Sequence, residues 1–325
     1  MKLAKTLKRQ LLAFAIFTGI FDLIVNLLKP FMDKILPFLG RYMEMYNHQI
    51  VDASGKTMNA VKVNGNIYPP FGEYKFREIP KLRIRDDDVL LCGYPKTGCH
   101  WMFEIIFMLL HGKAELSRHG KELGGMIDFI PEILLDSLPS PRVLNSHLMY
   151  AQLPKEIVEK KTKIILTVRN PKDTVVSFYN HHIDLKSMYG YGGSFNDYFN
   201  LFMEGRLEYG DYFDYVLDWE RTMKNQSFNQ IHCVSFEDMK SAPLKCVLDV
   251  ANFLKVKVTE QFAREIVDAC SFNRMKKKRG KDGPPAKLFR KGIVGDWNNW
   301  LSTEQSAAID NRWAQKIQKS ISTSS

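Results

Sequence analysis

The nine residues Gly93–Trp101, GYPKTGCHW, restrict the fold more than any other stretch of the chain. Ahead of them Asp88–Tyr94 is a short apolar run of buried-strand type, and behind them His100–Leu110 is long enough for a helix. A glycine-containing turn that leads from a strand into a helix aims backbone N–H groups and the positive end of the helix dipole at an anion. The sequence therefore predicts a phosphate-binding loop. In the nucleotide-phosphate pattern G-x-x-x-x-G-K-[ST] the lysine follows the second glycine and reaches the terminal phosphates. Here Lys96 comes before Gly98, so its ammonium is offered to a different part of the ligand.

From about Tyr46 onward strands and helices alternate without repeats. The most strand-like runs are Val89–Tyr94, Arg142–Ser146, Lys163–Val168 and Ile231–Phe236. Their continuous apolar character, rather than alternation, predicts strands covered on both faces, as in a parallel sheet. Helical patterns cover Lys172–Leu185, Ser194–Gly205, Tyr209–Lys224, Pro243–Leu254, Thr259–Ala269 and Thr303–Gln318. The expected fold is α/β, a three-layer sandwich with a central, mainly parallel sheet. In such sheets ligands bind beyond the carboxyl ends of the strands, where the Gly93 loop sits.

The chain of 325 residues divides into an apolar, basic segment 1–45 and a domain 46–325. In the first, the apolar run Leu11–Leu28 follows Lys2, Lys5, Lys8 and Arg9, the layout of a signal anchor. Asp22 and Asn26 interrupt it, and a central Asp costs about 2.5–3.5 kcal/mol on insertion scales. A spanning anchor, an interfacial or partner-binding helix and a cleaved signal peptide all remain open. A net charge of +10 favours anionic partners. The five cysteines show no paired spacing, which argues for reduced thiols in the cytosol and against a zinc site.

Two further clusters carry charge. Arg169 precedes Pro171, which suits a helix start and leaves the arginine fork free for a phosphate, while Ser177 lies on the helix that follows. Near the C-terminus stands Arg290-Lys291-Gly292-Ile293-Val294-Gly295-Asp296-Trp297. Each cluster alone also reads as a solvated turn. Together, YPKTGCHW, then R-N-P-K-D-x-x-V-S-x-Y, then R-K-G-x-x-G-D-W resemble the cytosolic sulfotransferase family. Pro141–Leu148, Phe236–Lys240 and Ser271-Phe272 extend the resemblance over about Arg83–Trp313.

The resemblance implies a co-substrate, 3′-phosphoadenosine 5′-phosphosulfate (PAPS), with no metal. By position, Lys96 would stabilise the leaving phosphate oxygen and the N–H groups of Thr97, Gly98, Cys99 and His100 would hold the 5′-phosphate. Arg169, Ser177, Arg290, Lys291 and the backbone of Gly292 would bind the 3′-phosphate. Trp101 and Phe272 would enclose the adenine, with Ser271 nearby, and His147 would be the general base toward a small-molecule acceptor. The segment between Phe272 and Arg290 would close over the site as a loop. Its basic run Lys276–Lys281 then faces phosphate as a lid rather than binding nucleic acid.

The sequence also departs from the family. Cys99 and His100 replace hydroxyl residues, Phe236 a frequent tyrosine and Cys270 a frequent threonine. Asn145 stands where many members carry a lysine; its amide is expected to donate a hydrogen bond near the sulfuryl group, with slower turnover. The family dimer motif would fall on Asn298, Ser302, Thr303 and Ala307 and is not matched. Two alternatives stay open, a catalytically weakened nucleotide-binding homologue and a membrane-anchored luminal enzyme acting on glycans or protein. Phe71, Tyr74, Phe76, Phe129, Met149 and Tyr191 are candidates for an acceptor pocket, each equally readable as core.

Overall fold

The four apolar runs form a four-stranded, all-parallel sheet, made of β4 (Val89–Gly93), β5 (Val143–Ser146), β6 (Lys163–Val168) and β7 (Ile231–Ser235), in the order β5-β4-β6-β7. The structure is a computed structural model that describes residues 46–118, 120–225, 230–282 and 289–322. Successive residues of these strands enter different cores. Leu90, Cys92, Leu144, Ile164 and Leu166 pack on one face, whereas Val89, Leu91, Val143 and Ile165 pack on the other. That alternation of side chains between two buried faces explains why the runs are apolar throughout. At the amino ends of the strands, Arg142 donates to both oxygens of Asp88 at 2.8 and 2.6 Å in a fully buried pair that locks β5 against β4.

Helices cover both faces. Cys99–His111 follows β4 and ends on Gly112, a left-handed cap whose amide reaches Met108 O at 2.9 Å. Pro171–Asp184 follows β6 with Pro171 in its first turn and the Asn170 side chain accepting from Lys172 N at 2.8 Å. Pro243–Leu254 and Glu260–Ala269 lie at the expected places, the latter capped by Thr259, and Thr303–Ser322 runs somewhat longer than its pattern.

Three differences from the sequence reading matter for the site. Residues 209–211 are not helical: the Asp211 side chain accepts from the amides of Phe213 and Asp214 at 2.7 and 3.1 Å, so the helix begins at Tyr212. The segment after Ser271 is not a loop at its start but a helix, Phe272–Asp282. An antiparallel sheet of β1 (His48–Val51), β2 (Thr57–Val63) and β3 (Asn66–Tyr68) precedes the parallel one. Its short strands carry too few apolar residues to be recognised alone. It is tied down by Tyr209 N donating to Ile67 O at 2.8 Å and Tyr68 stacking on Phe76 at 4.2 Å.

Among the described residues no helix is long and apolar enough to cross a membrane, and the Leu11–Leu28 run lies outside them.

Candidate active site

Strand order decides which loops meet. β4 lies between β5 and β6; its connection runs to β5 on one side while that of β6 runs to β7 on the other, so the carboxyl ends of β4 and β6 flank a topological switch point. The Gly93 loop leaves from the carboxyl end of β4. His147 follows β5 on one side of it, and Arg169 follows β6 on the other.

The loop is tightly built. A Cβ on Gly93 would lie 2.2 Å from Thr167 Oγ1, Lys96 sits at φ 72, and Gly98 at φ 109 faces Met239 and Phe236 so closely that a Cβ would come within 2.8 and 3.1 Å of them. A non-glycine residue held at positive φ is uncommon and clusters at ligand-binding turns. The Thr97 hydroxyl donates to Tyr94 O at 2.7 Å and pairs with Thr167 Oγ1 at 3.0 Å, and the Thr97 amide closes the turn on Tyr94 O at 3.3 Å. Thr97 thus donates both its hydroxyl and its N–H within the turn. The Cys99 thiol also turns inward, 3.2 Å from Thr167 Oγ1. Trp101 N and Met102 N donate to Gly98 O at 3.0 and 3.1 Å, and the positive end of the Cys99–His111 helix dipole lies beside this turn.

A cavity of about 380 Å³ opens beyond the loop. Lys96, Gly98, Cys99, His100 and Trp101 form one part of its wall. Arg169, Ser177, Ser271 and Phe272 join them, together with Arg290, Lys291 and Gly292. The Arg169 guanidinium lies 4.1 Å over the Phe236 ring and donates to Lys96 O at 3.3 Å and Ile293 O at 3.1 Å, so it ties the loop to the C-terminal segment. Its backbone carbonyl accepts from the Tyr212 hydroxyl. Burial is the main influence that lowers its pKa, and Nε is buried without a partner among the described residues.

Arg290 and Lys291 are held in place by Asp296, at 2.5 and 2.6 Å. Burial alone would raise the Asp296 pKa; hydrogen bonds from Lys291, Arg290 and Asn299 overcome it and bring it down to about 2. Asp173 anchors the same segment by accepting from Gly295 N at 2.7 Å and Trp297 N at 3.1 Å. Gly292, at φ 63, lies against Phe272, where a Cβ would come within 2.5 Å of Cδ2. Phe236, noted in the sequence only as replacing a frequent tyrosine, and Phe289, not singled out there, also line the cavity, beside Trp101 and His100 respectively.

The other end of the cavity holds His147, 6% exposed. Its Nδ1–H donates to Gly93 O at 2.6 Å, which leaves Nε2 as the acceptor nitrogen. Burial first, then the Lys121 charge, push its pKa well below 6.5; His100 and Lys96 add to this and the Gly93 bond opposes it. The His147 amide donates to Asp128 at 2.8 Å, and Asp128 also accepts from the Ser146 hydroxyl at 2.6 Å and the Tyr209 hydroxyl at 3.0 Å. Burial raises the pKa of that carboxyl, with the three hydrogen bonds and the Lys121 charge acting against it. Tyr209 stands edge-on to the His147 ring at 5.4 Å, a position it reaches because Asp211 starts the helix after it.

Lys121 is the main residue that the sequence did not disclose. Its Nζ donates to Asn145 Oδ1 at 2.8 Å and lies 3.1 Å from His147 Nε2 and 3.8 Å from Met126 Sδ. The segment carrying it is docked on the outer edge of β5, where Asn145 N donates to Gly125 O at 2.8 Å and Ile127 N to Asn145 O at 2.9 Å. No local pattern marks a lysine that edge pairing alone carries to His147. Asn145, meanwhile, is fully buried, with Nδ2 donating to Leu91 O at 2.9 Å. Its amide holds Lys121 rather than reaching for a ligand, which corrects the role expected of it.

Of the six acceptor-pocket candidates, Phe71 and Phe129 line the cavity, edge to face at 4.8 Å. Phe76 and Tyr191 are core, the latter bonded to Asp52 at 2.9 Å, and Tyr74 is on the surface. Met149 packs on the core. Met126, Met188, Tyr189 and Tyr209 complete the wall in their place.

A sulfotransferase domain model matches residues 86–321, most of the chain. Human sulfotransferase 6B1 is 32% identical over 74% of this chain and 79% of its own length. Human sulfotransferase 1C2 is 30% identical over 81% and 94%. Among solved structures, mouse sulfotransferase SULT7A1 complexed with PAP superposes with a TM-score of 0.69 at 28% identity, over 79% of this chain and 95% of that one. The matched span contains the loop after β4, the histidine after β5, the arginine after β6 and the basic C-terminal turn. With those elements gathered around one cavity, the chain belongs to the sulfotransferase family.

Proposed function

We propose that the chain transfers the sulfuryl group of PAPS to the hydroxyl or amine of a small acceptor by in-line displacement, in a reducing compartment that suits its five unpaired thiols. One observation carries this reading: a single cavity runs from a cationic end, formed by Arg169, Arg290 and Lys291, past Lys96 to a buried neutral imidazole. The mouse neighbour complexed with PAP supports the choice of nucleotide.

Arg169 and Ser177, with Arg290, Lys291 and the Gly292 backbone, hold the 3′-phosphate. The first-turn amides of the Cys99–His111 helix hold the 5′-phosphate. Trp101 and Phe272 enclose the adenine. The bound co-substrate supplies a sulfuryl group on its 5′-phosphate. His147 Nε2 takes the acceptor proton, its tautomer fixed by Gly93 O, and the Lys96 ammonium meets the charge left on the phosphate oxygen. Apolar side chains, Phe71, Phe129 and Met188 among them, orient a small acceptor and exclude water.

Calorimetric titration with PAP, followed by transfer from labelled PAPS to a panel of phenols, sterols and amines, tests this. Micromolar PAP affinity is expected, weakened about 10- to 100-fold by Arg169→Met, the worth of a charge-assisted contact. Absence of PAP binding by the parent protein, or indifference to that substitution, overturns the reading.

A further inference from the structure

Lys121 is 4% exposed, yet it lines the cavity beside the base. Its three hydrogen-bond partners, Asn145 Oδ1, His147 Nε2 and Met126 Sδ, are all neutral. Asp128 acts on it through space. An ammonium taken out of water costs several kcal/mol unless a counter-charge meets it. Here the cavity it faces is the one proposed to admit an anion.

Asn145 and His147 are two residues apart at the carboxyl end of β5, so their side chains fall on one side of the strand. The Asn145 amide, anchored on Leu91 O, presents its oxygen to Lys121 and thereby fixes where the ammonium stands. A cation thus reaches the base from the Gly120–Gly124 helix, 26 residues from His147 along the chain, rather than from β5 itself.

We propose that Lys121 is the cation that receives the sulfuryl oxygens beside His147, and that its move from Nε2 to those oxygens frees Nε2 to take the acceptor proton. This rests on the sulfuryl-transfer reading above. In the step, a lone pair of the acceptor oxygen or nitrogen forms the bond to sulfur while the bond from sulfur to the 5′-phosphate oxygen breaks. That bonding pair stays on the phosphate oxygen beside Lys96, the acceptor proton passes to His147 Nε2, and Lys121 keeps its own protons.

The groups around His147 set the pH signature. Lys121, Lys96 and His100 bring positive charge, Asp128 lies on its backbone amide, Tyr209 is edge-on to the ring, and Glu208 lines the same cavity. Removing Lys121 takes away the largest of the charges that disfavour the imidazolium. The His147 pKa then rises, and the pH below which the base is lost moves upward.

The experiment compares the parent with Lys121→Met and with Lys121→Met/Asn145→Lys, which returns an ammonium from β5. In Lys121→Met, kcat should fall about 100-fold, as when one preorganised donor is removed. PAP affinity should stay within about twofold, since PAP lacks the sulfuryl group, while the preference for PAPS over PAP drops about tenfold. The acid limb of kcat/KM should shift to higher pH, and the double variant should regain at least about tenfold in kcat. Should Lys121→Met fail to fold, Lys121→Gln, which keeps polar contacts without the charge, provides the same readouts. An unchanged kcat and PAPS preference overturns the inference. So does a loss of kcat accompanied by loss of PAP affinity without recovery in the double variant, the mark of a structural prop. Failure of the parent to bind PAP instead overturns the underlying sulfotransferase reading, so the two failures are distinct.

Discussion

The two ends of the cavity are built by different means. The nucleotide end comes from contiguous stretches: a turn entering a helix N-terminus, an arginine just before a helix, and a basic turn around two glycines. Much of its work is done by backbone, and backbone geometry leaves marks in consecutive residues, such as glycines where a Cβ would collide. The other end comes from single side chains, Lys121, Asp128, Tyr209 and the Asn145 and His147 pair at the end of β5, joined by hydrogen bonds within a buried network. Under the proposed function, a phosphate shared by several groups would tolerate local loss, whereas a single proton acceptor would have no substitute.

The largest expected effect follows from that contrast. His147→Gln should lower kcat about 1,000-fold, within the range for loss of a general base, while PAP affinity changes less than about threefold. Steady-state kinetics with calorimetry on the same preparation checks the split. Equal losses in both would mean that the two ends are not separable. The same base fixes a pH expectation. Because burial and neighbouring cations hold the His147 pKa well below 6.5, the imidazole is already neutral near pH 6.5, so kcat/KM should not show its acid limb there but at lower pH. A limb centred at 6.5 or above would show that the ring is less buried in the working enzyme.

An intermediate effect breaks the nucleotide end alone. Gly98→Ala places a Cβ within 2.8 Å of Met239 Cε and 3.1 Å of Phe236 Cδ2 at φ 109, a conformation that only glycine adopts freely. The cost should be about 1–2 kcal/mol, seen as roughly tenfold weaker PAP binding with acceptor KM unaltered. If acceptor KM rises as much as PAP affinity falls, the loop supports both ends and the division is too sharp.

The difference also explains what could be read from the sequence. The parallel sheet was legible because strands buried on both faces are apolar at every position, and strand order then brought the Gly93 loop, His147 and Arg169 to one edge. The first sheet was not, since β1 and β3 are only four and three residues long and half exposed. The residues that line the cationic end of the cavity were legible as ordered motifs. Lys121 was not, because its place depends on Gly125–Ile127 pairing with the edge of β5. Tyr209 was hidden inside an apparently helical pattern that Asp211 in fact starts later. The Thr97 amide, bonded to Tyr94 O, shows a related limit: a sequence shows which residues form a turn, but not which amides bond within it.

The acceptor side of the reactive end gives the smallest effect and the finest test. Phe71 follows the first sheet, and its ring meets Phe129 edge to face at 4.8 Å in the cavity wall. Phe71→Ala removes apolar surface that an acceptor would cover, worth about 1 kcal/mol for a half-buried ring. Acceptor KM should therefore rise about five- to tenfold for an apolar phenol or sterol, with kcat and PAP affinity nearly unchanged. A small hydrophilic acceptor, covering less of the ring, should lose less. Uniform losses across acceptors of different size would mean that Phe71 shapes the wall through Phe129 rather than touching the acceptor, and would move the recognition surface inward to Met188 and Tyr189.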